Sequence, residues 1–150
     1  MLGRYELLSL SISSMYHDIQ KIERVEMARF GLKGPHAQCL LMLSRYPDGL
    51  TASQLCEISD KDKAAISRAI SELEEAGMIL RQDRNGNRYR APVKLTAQGI
   101  LAAQSVAQRA KLAVEQAGMG LEEDQRQIFY QVLSLIAGNL HTICKDGLSK

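Results

Sequence analysis

The chain has few cysteines and no long apolar segment. Cys39, Cys56 and Cys144 are widely spaced, which excludes a disulfide framework and a zinc knuckle and fits the reducing cytoplasm. No apolar run approaches the roughly 20 residues that span a bilayer, so we expect no association with a membrane. Tyr5, Glu6 and several serines interrupt the mildly apolar start of the sequence, and we therefore expect no signal peptide.

Patterns typical of catalysis are also missing from the sequence. There is no glycine loop that could cradle a phosphate and no Ser-His-Asp order on a suitable scaffold. His36 and Cys39 have i, i+3 spacing, which would allow a metal pair or a Cys–His dyad. No third ligand lies nearby in the sequence, so satisfied or packed side chains explain both residues better. We therefore expect no enzyme, no metal site and no cofactor.

Positive charge is concentrated in one segment. The 150 residues, 45% of them hydrophobic, suit a single domain with a sizeable core. The whole chain carries a net charge of only +2. Between Arg81 and Lys94, five basic residues stand against Asp83 alone, a net charge of +4, so the remainder carries −2. Such a local excess of cations indicates a surface that contacts nucleic acid.

Two short helices joined by a tight turn are predicted from Thr51 onwards. Thr51 and Gln54 have the spacing of a capping box, and Leu55 and Ile58 form a narrow apolar stripe. Asp60 suits the N-cap of the second helix. One face of that helix is apolar at helical spacing and is predicted to pack inward: Ile66, Ala69, Ile70, Leu73 and Ala76. The opposite face is small, polar and basic: Lys61, Lys63, Ala64, Ser67, Arg68 and Ser71. Such a face can lie against base edges, as a recognition helix does in a major groove.

A basic β-hairpin is predicted directly after these helices. Gly77 ends the second helix, residues 78–82 form a strand, and Asn85-Gly86 supplies the tight reversal. The return strand runs from about residue 88 to residue 95, and Pro92 favours an edge position because it has no N–H. The cations at and after the tip are predicted to hold the DNA backbone or to enter a minor groove: Arg84, Arg88 and Arg90. The two helices and the hairpin together make a winged helix-turn-helix.

Long helices are predicted on both sides of this lobe. They cover residues 4–30, then 97–117 after the cap Thr96, and about 122–144, and a shorter helix begins at Pro35. The apolar positions of residues 97–117 are Ile100, Leu101, Val106, Leu112 and Val114. One small lobe cannot cover three such faces, so we expect a twofold dimer with its recognition helices about 34 Å apart. The alternative is a monomer whose terminal helices pack on its own lobe.

The order of these elements resembles the MarR family of bacterial transcriptional regulators. The segments that carry the resemblance are ISRAISELEEAGMI, the RYR of the wing and the closing LTAQG. The chain departs from many relatives at Ala64 and Ala65, where Ser or Thr is common, and at Asn87, where Asp is common. The alanines suggest methyl contacts with thymine, and Asn87 weakens the expectation of an Asp–Arg pair that braces the wing.

The resemblance implies a mainly α-helical domain over residues 1–150, with a small β-hairpin wing. Residues 35–96 would form the DNA-binding lobe, and residues 1–34 and 97–150 would form the dimerisation helices. It implies a homodimeric repressor that reads a palindromic site in double-stranded DNA, with Lys63, Ala64, Ala65, Ser67 and Arg68 at base edges and Lys61 on the backbone.

The resemblance also implies a small aromatic or phenolic effector. Tyr16, His36, Cys39 and Met42 could line its crevice, although such positions are more often plain core. Two alternatives remain open from the sequence. One is a winged-helix module that binds another protein. The other is a thiol- or metal-responsive regulator on the same scaffold, with Cys39 or Cys56 as the sensor.

Overall fold

The computed structural model describes residues 3–59, 61–82 and 90–149. Within these residues there are six helices and two short strands. In chain order they are α1 (Arg4–Ala28), α2 (His36–Ser44), α3 (Ala52–Ser59), α4 (Lys63–Glu75), β1 (Ile79–Arg81), β2 (Val93–Leu95), α5 (Ala97–Ala117) and α6 (Glu123–Asp146). The chain divides into two compact units, Met1–Ala110 and Lys111–Lys150. The predicted fold class, mainly helical with a small antiparallel β element, is confirmed.

The turn between α1 and α2 depends on a glycine in the left-handed region. Gly31 has a φ of +67°, and the N–H of Leu32 donates to the carbonyl oxygen of Met27 at 2.9 Å. This arrangement satisfies a carbonyl at the C-terminal end of α1. Pro35 lies at the N-cap of α2, one residue before the first helical position that we predicted for it. Helix α2 ends at Ser44.

The core of the first unit is formed by side chains from every helix of that unit and from both strands. Its members are apolar and nearly inaccessible to solvent, and the largest fully buried ones are Met27, Leu40, Leu55, Ile66, Ile70, Leu73, Val93 and Cys39. The inward face of α4 is therefore confirmed at Ile66, Ala69, Ile70 and Leu73. Ala76 was predicted to be inward but is the exposed C-cap of α4, because the helix ends before that position turns toward the core.

The strands at the base of the wing pair in an antiparallel register. Ile79 lies opposite Leu95, and Arg81 lies opposite Val93. Val93 also exchanges two backbone hydrogen bonds with Leu50, at 2.7 and 3.0 Å. At Val93, β2 thus has a partner on each side, which corrects the expected edge position. Pro92, the residue without an N–H, stands just before this doubly paired residue.

The buried face of α5 is made mainly of small residues, joined by Val106 from the predicted apolar positions. Gly99, Ala102, Ala103 and Val106 are buried, whereas Ile100 and Leu101 are exposed. The reason is close packing: the backbone of Met78 approaches Gly99 so closely that a Cβ there would overlap its carbonyl oxygen. Only a helix with small side chains on this face can come so near to β1.

In the second unit, α6 begins after the N-cap Glu122 and has no buried residue among those described. The guanidinium of Arg126 donates to the carbonyl oxygen of Gly118 at 2.9 Å, which ties α6 to the loop before it. Large apolar side chains along α6 are exposed, including Phe129, Leu133 and Leu140. None of the helices in the described ranges is both long and apolar enough to cross a membrane.

Candidate nucleic-acid interface

The helix before the proposed recognition helix starts with the predicted capping box. The N–H of Thr51 donates to Oε1 of Gln54 at 2.9 Å, and the N–H of Gln54 donates to Oγ1 of Thr51 at 3.2 Å. Leu55 then packs into the core, but Ile58 is exposed. The predicted stripe is thus half right: α3 anchors the turn through Leu55, and Ile58 faces solvent.

The cap of α4 differs from the prediction. Oδ1 of Asp62 accepts a hydrogen bond from the N–H of Ala65 at 2.7 Å, so Asp62 is the N-cap and the helix begins at Lys63. Asp60, the predicted cap, lies outside the described residues. An aspartate stands on each side of Lys61, and either one has the side chain that a cap needs. Because the cap is Asp62, Lys61 precedes α4 and Lys63 lies in its first turn.

The face of α4 predicted to read DNA is turned to solvent. Its exposed residues are Lys63, Ala64, Ser67, Arg68 and Ser71, whereas Lys61 and Ala65 are partly buried. The N-terminal end of a helix carries a partial positive charge. Lys61 and Lys63 add to it, α4 has no acidic residue in its first turn, and the carboxylate of Asp62 is occupied as the N-cap. The two lysines beside this end would favour an anionic partner such as a phosphate backbone.

The wing is described only at its base. Arg84, Arg88 and the predicted Asn85-Gly86 reversal lie outside the described residues, while Arg90 is described and exposed. The N–H of Gln82 donates to the carbonyl oxygen of Pro92 at 3.1 Å, one residue beyond the strand pairing. Nε of Arg81 donates to Oε2 of Glu74 at 2.9 Å, so this cation joins β1 to α4.

The LTAQG segment joins α5 to the base of the wing. The hydroxyl of Thr96 donates to the carbonyl oxygen of Gly77 at 2.6 Å and accepts from the N–H of Gly99 at 3.1 Å. The N–H of Thr96 donates to the carbonyl oxygen of Met78 at 2.9 Å. The predicted cap at Thr96 is confirmed, and the same side chain also holds the turn that follows α4. This fixes where the wing leaves α4.

A buried histidine holds α4 from the other side, and the sequence pattern gave no indication of this contact. The N–H of Lys33 donates to Nδ1 of His36 at 3.0 Å, so Nε2 carries the ring proton and donates to Oε2 of Glu72 at 2.7 Å. Nζ of Lys33 donates to the other carboxylate oxygen, Oε1, at 2.8 Å. Glu72 lies 36 residues from His36 and 39 from Lys33, a separation at which no local pattern exists.

Acid is expected to remove the stabilisation that the ionised Glu72 provides. Hydrogen bonds from Lys33 first, and then from His36, hold the pKa of Glu72 below its ordinary value of 4.5. Such a group stabilises the fold above its unfolded-state pKa, and the contribution is lost as the pH falls through the folded-state pKa. We expect the difference in free energy of unfolding between the wild type and Glu72→Gln, measured by urea titration, to shrink below about pH 4.5. A difference that stays constant from about pH 6 to about pH 3 would contradict this account.

A buried carboxylate joins α1 to α5. Oε1 of Glu26 accepts from Nε of Arg109 at 3.0 Å, and Nη1 of Arg29 lies 3.7 Å from Oε2. Glu26 is buried, and its Oε2 atom has no hydrogen-bond partner among the described residues. The ion pair with Arg109 offsets part of the cost of burying the charge. This contact fixes the end of α1 against α5 within the first unit.

Cys39 and His36 are core side chains in the part of the chain that the structure describes. Cys39 is buried, and burial raises the pKa of its thiol, which is the setting of an inert core cysteine. His36 is satisfied at both nitrogens, as the sequence favoured. Among the residues that the structure describes, no three His, Cys, Asp or Glu side chains are grouped so that they could bind a metal ion. Of the four candidates for an effector crevice, His36 and Cys39 are thus core residues, and Tyr16 is exposed on α1.

Comparison with known proteins agrees with this architecture. Residues 30–88, from the end of α1 to the wing, match the model of the MarR family. This segment, somewhat more than a third of the chain, is similar to the MarR family. The matched segment includes all of α4, and the sequence resemblance is therefore confirmed. A comparison with curated proteins gives no match.

Solved MarR structures share the fold over nearly the whole chain. A MarR transcriptional regulator from Methanosarcina mazei Go1 is similar at 22% identity, with a TM-score of 0.84 over 95% of this chain and 94% of that one. A putative MarR-family regulator from Listeria monocytogenes, complexed with 26mer DNA, is similar at 18% identity, with a TM-score of 0.81 over 100% and 99% of the two chains. The fold is that of MarR-family transcriptional regulators, including the helices that flank the winged lobe.

Proposed function

We propose that this chain is a sequence-specific regulator of transcription that binds double-stranded DNA as a homodimer in the cytoplasm. One observation carries the proposal: the N-terminal end and the outward face of α4 are exposed, basic and lined by small side chains. Small residues allow the helix backbone to come close to base edges, and the cations favour the phosphates beside them. The similar fold of the Listeria monocytogenes protein, which is complexed with 26mer DNA, supports a DNA partner.

The predicted contacts divide into two classes. Lys63, Ala64, Ala65, Ser67 and Arg68 would contact base edges, with Ser71 on the same face. Lys61 and the wing arginines Arg84, Arg88 and Arg90 would hold the phosphates or enter a minor groove. Contacts with phosphates supply affinity that depends on salt, whereas contacts with bases supply discrimination between sequences. The two classes are therefore separable by experiment.

The homodimer is supported by the apolar side chains that a single chain leaves exposed. On α6, Phe129, Leu133, Ile136, Leu140 and Ile143 recur at alternating spacings of four and three residues, the pattern of a helix that packs against another helix. None of them is buried in one chain. Helix α1 repeats the pattern, with exposed residues at Leu8, Ile12, Met15, Ile19 and Ile22. A dimer of this kind would read a palindromic site.

Repression, relieved by a small aromatic or phenolic effector, completes the proposal. It rests on the family resemblance, and the effector would act by shifting the population between states that bind DNA and states that do not. DNA-binding assays with and without phenolic carboxylates such as salicylate test this part separately. Release of the duplex by such a compound would support it, and unchanged binding up to millimolar concentration would count against this class of effector.

Selection of duplexes from a random pool tests DNA recognition, and Arg68→Ala tests its assigned face. We expect Arg68→Ala to weaken binding to the selected duplex by about 1–3 kcal/mol and to weaken binding to a random duplex much less. Arg88→Ala should instead weaken both and reduce the salt dependence by about one charge. Fluorescence anisotropy titrations over a range of salt concentrations measure both effects.

Lys111→Ala, which removes an exposed charge from α5, is the matched control and should change neither quantity. If Arg68→Ala lowers the affinity for both duplexes equally, Arg68 contacts the DNA backbone rather than the bases. If wild-type protein enriches no duplex and none binds even at low salt, the chain is instead a winged-helix module for another partner.

A further inference from the structure

Glu72 stands where it could block the DNA-reading face of α4. It follows Arg68 by four residues, so the two side chains leave the helix on the same flank. A cation and a carboxylate at this spacing are neighbours on a helix surface and attract each other. Arg68 is exposed, and the Glu72 side chain is about one third exposed (34%), so solvent reaches both. A carboxylate here would also repel a phosphate backbone that approached Arg68.

The structure shows a different pairing for this carboxylate. Both oxygens of Glu72 are occupied, Oε1 by the ammonium of Lys33 and Oε2 by the ring N–H of His36. Arg68 forms no hydrogen bond or ion pair with any residue that the structure describes. The acid beside the DNA-reading arginine is therefore turned toward the first residue of α2 and the loop before it, and the guanidinium is left open.

The two partners of Glu72 contribute in different ways. The His36 side chain is only 4% exposed and is held on its other side by the backbone N–H of Lys33, so its ring cannot swing away. Lys33 is largely exposed (71%) and contributes a full positive charge. Hydrogen bonds from both lower the pKa of Glu72, so the carboxylate stays charged near neutral pH. Without its partners, this charge would be available to Arg68.

We propose that Lys33 and His36 are positioning residues for Arg68. They hold the Glu72 carboxylate away from the Arg68 guanidinium and from the DNA backbone, and so leave Arg68 available to bind DNA. This inference rests on the proposed function, because it requires α4 to be the helix that reads DNA. It assigns a role to two residues that lie outside the recognition helix and outside the wing.

A double-mutant cycle on exposed groups tests the proposal. It uses the full-length wild type, Lys33→Met, Glu72→Gln and the double variant, each titrated with a duplex that the wild type selects from a random pool. Lys33→Met frees Oε1 of Glu72 while His36 keeps Oε2. If the freed oxygen pairs with Arg68, binding should weaken about tenfold, the effect of losing one arginine contact. Glu72→Gln keeps an oxygen that accepts from His36 but has no charge, so it should bind no worse than the wild type. The double variant should regain the wild-type affinity, because no carboxylate remains to pair with Arg68.

The rescue separates this role from two simpler ones. If Lys33 itself bound a phosphate, Lys33→Met would weaken binding equally in both backgrounds, and that result overturns the proposal. If Lys33 only stabilised the fold, the double variant would bind no better than the single one, and that also overturns it. If Lys33→Met binds the duplex with the affinity of the wild type, that result overturns the proposal as well. Thermal melts confirm that each variant is folded, and Lys21→Met on α1 is the charge control. Failure of the wild type to bind any duplex would instead count against the proposed function itself.

Discussion

Replacement of Leu133 by aspartate, in the middle of α6, is expected to convert the protein to a monomer and to lower its affinity for a selected duplex at least about a hundredfold. Leu133 belongs to the stripe of Phe129, Leu133, Ile136, Leu140 and Ile143. In a single chain this leucine is 39% exposed. Leu133 is therefore only partly covered within one chain, and an aspartate there places its charge on the apolar face that the proposed dimer would bury.

The size of the effect follows from the twofold symmetry of the proposed dimer. Burial of a leucine side chain contributes about 1.5–3 kcal/mol, and a symmetric interface contains the residue twice. The variant also brings two carboxylates into an apolar interface, where each costs several kcal/mol unless it is paired. Since about 1.4 kcal/mol changes an equilibrium constant tenfold, dissociation should rise by three orders of magnitude or more.

Sedimentation equilibrium at about micromolar concentration measures the association, and anisotropy titration measures DNA binding. The matched control is Gln131→Glu, which adds a negative charge to the same helix at an exposed position on the opposite face. The control should remain a dimer and bind normally. If Leu133→Asp remained a dimer with unchanged affinity for DNA, this face of α6 would not be the interface, and the α1 stripe would become the remaining candidate.

Local signals in the sequence were sufficient for much of this architecture. The capping box at Thr51 and Gln54 and the cap at Thr96 are set by residues within three positions of each other, so the spacing alone predicts them. The inward face of α4 follows from helical periodicity, which places Ile66, Ile70 and Leu73 on one side. The solvent-exposed face with Ser67 and Arg68 is the complement of that apolar face.

The errors occurred where local patterns do not decide the outcome. Asp60 and Asp62 are chemically equal candidates for one cap, and only the path of the turn selects Asp62. Ile100 and Leu101 were identified only as apolar positions of α5, and both are exposed in a single chain. Periodicity does not say whether the packed face of a helix is built from large or from small residues, and here close backbone packing requires the small ones. The bonds of Glu72 to Lys33 and His36 join distant segments, so only the folded chain reveals them.

Replacement of Gly99 by alanine is expected to lower the free energy of unfolding by about 3 kcal/mol, near the upper end of the usual cost of overpacking. In an ordinary helix this change would stabilise the protein by nearly 1 kcal/mol. A loss of stability in place of this gain would therefore indicate the close contact at Gly99. A Cβ at Gly99 would overlap the carbonyl oxygen of Met78 and lie 3.2 Å from Cδ2 of Leu95. The carbonyl cannot yield easily, because it is backbone and accepts the N–H of Thr96 at 2.9 Å. To admit the methyl group, α5 must move away from β1 and loosen the turn after α4.

Urea unfolding followed by circular dichroism measures the loss of stability in Gly99→Ala. Gln98→Ala, at an exposed neighbouring position, is the control that should change stability little. A Gly99→Ala protein as stable as the wild type would show that α5 does not pack as closely on the wing as described.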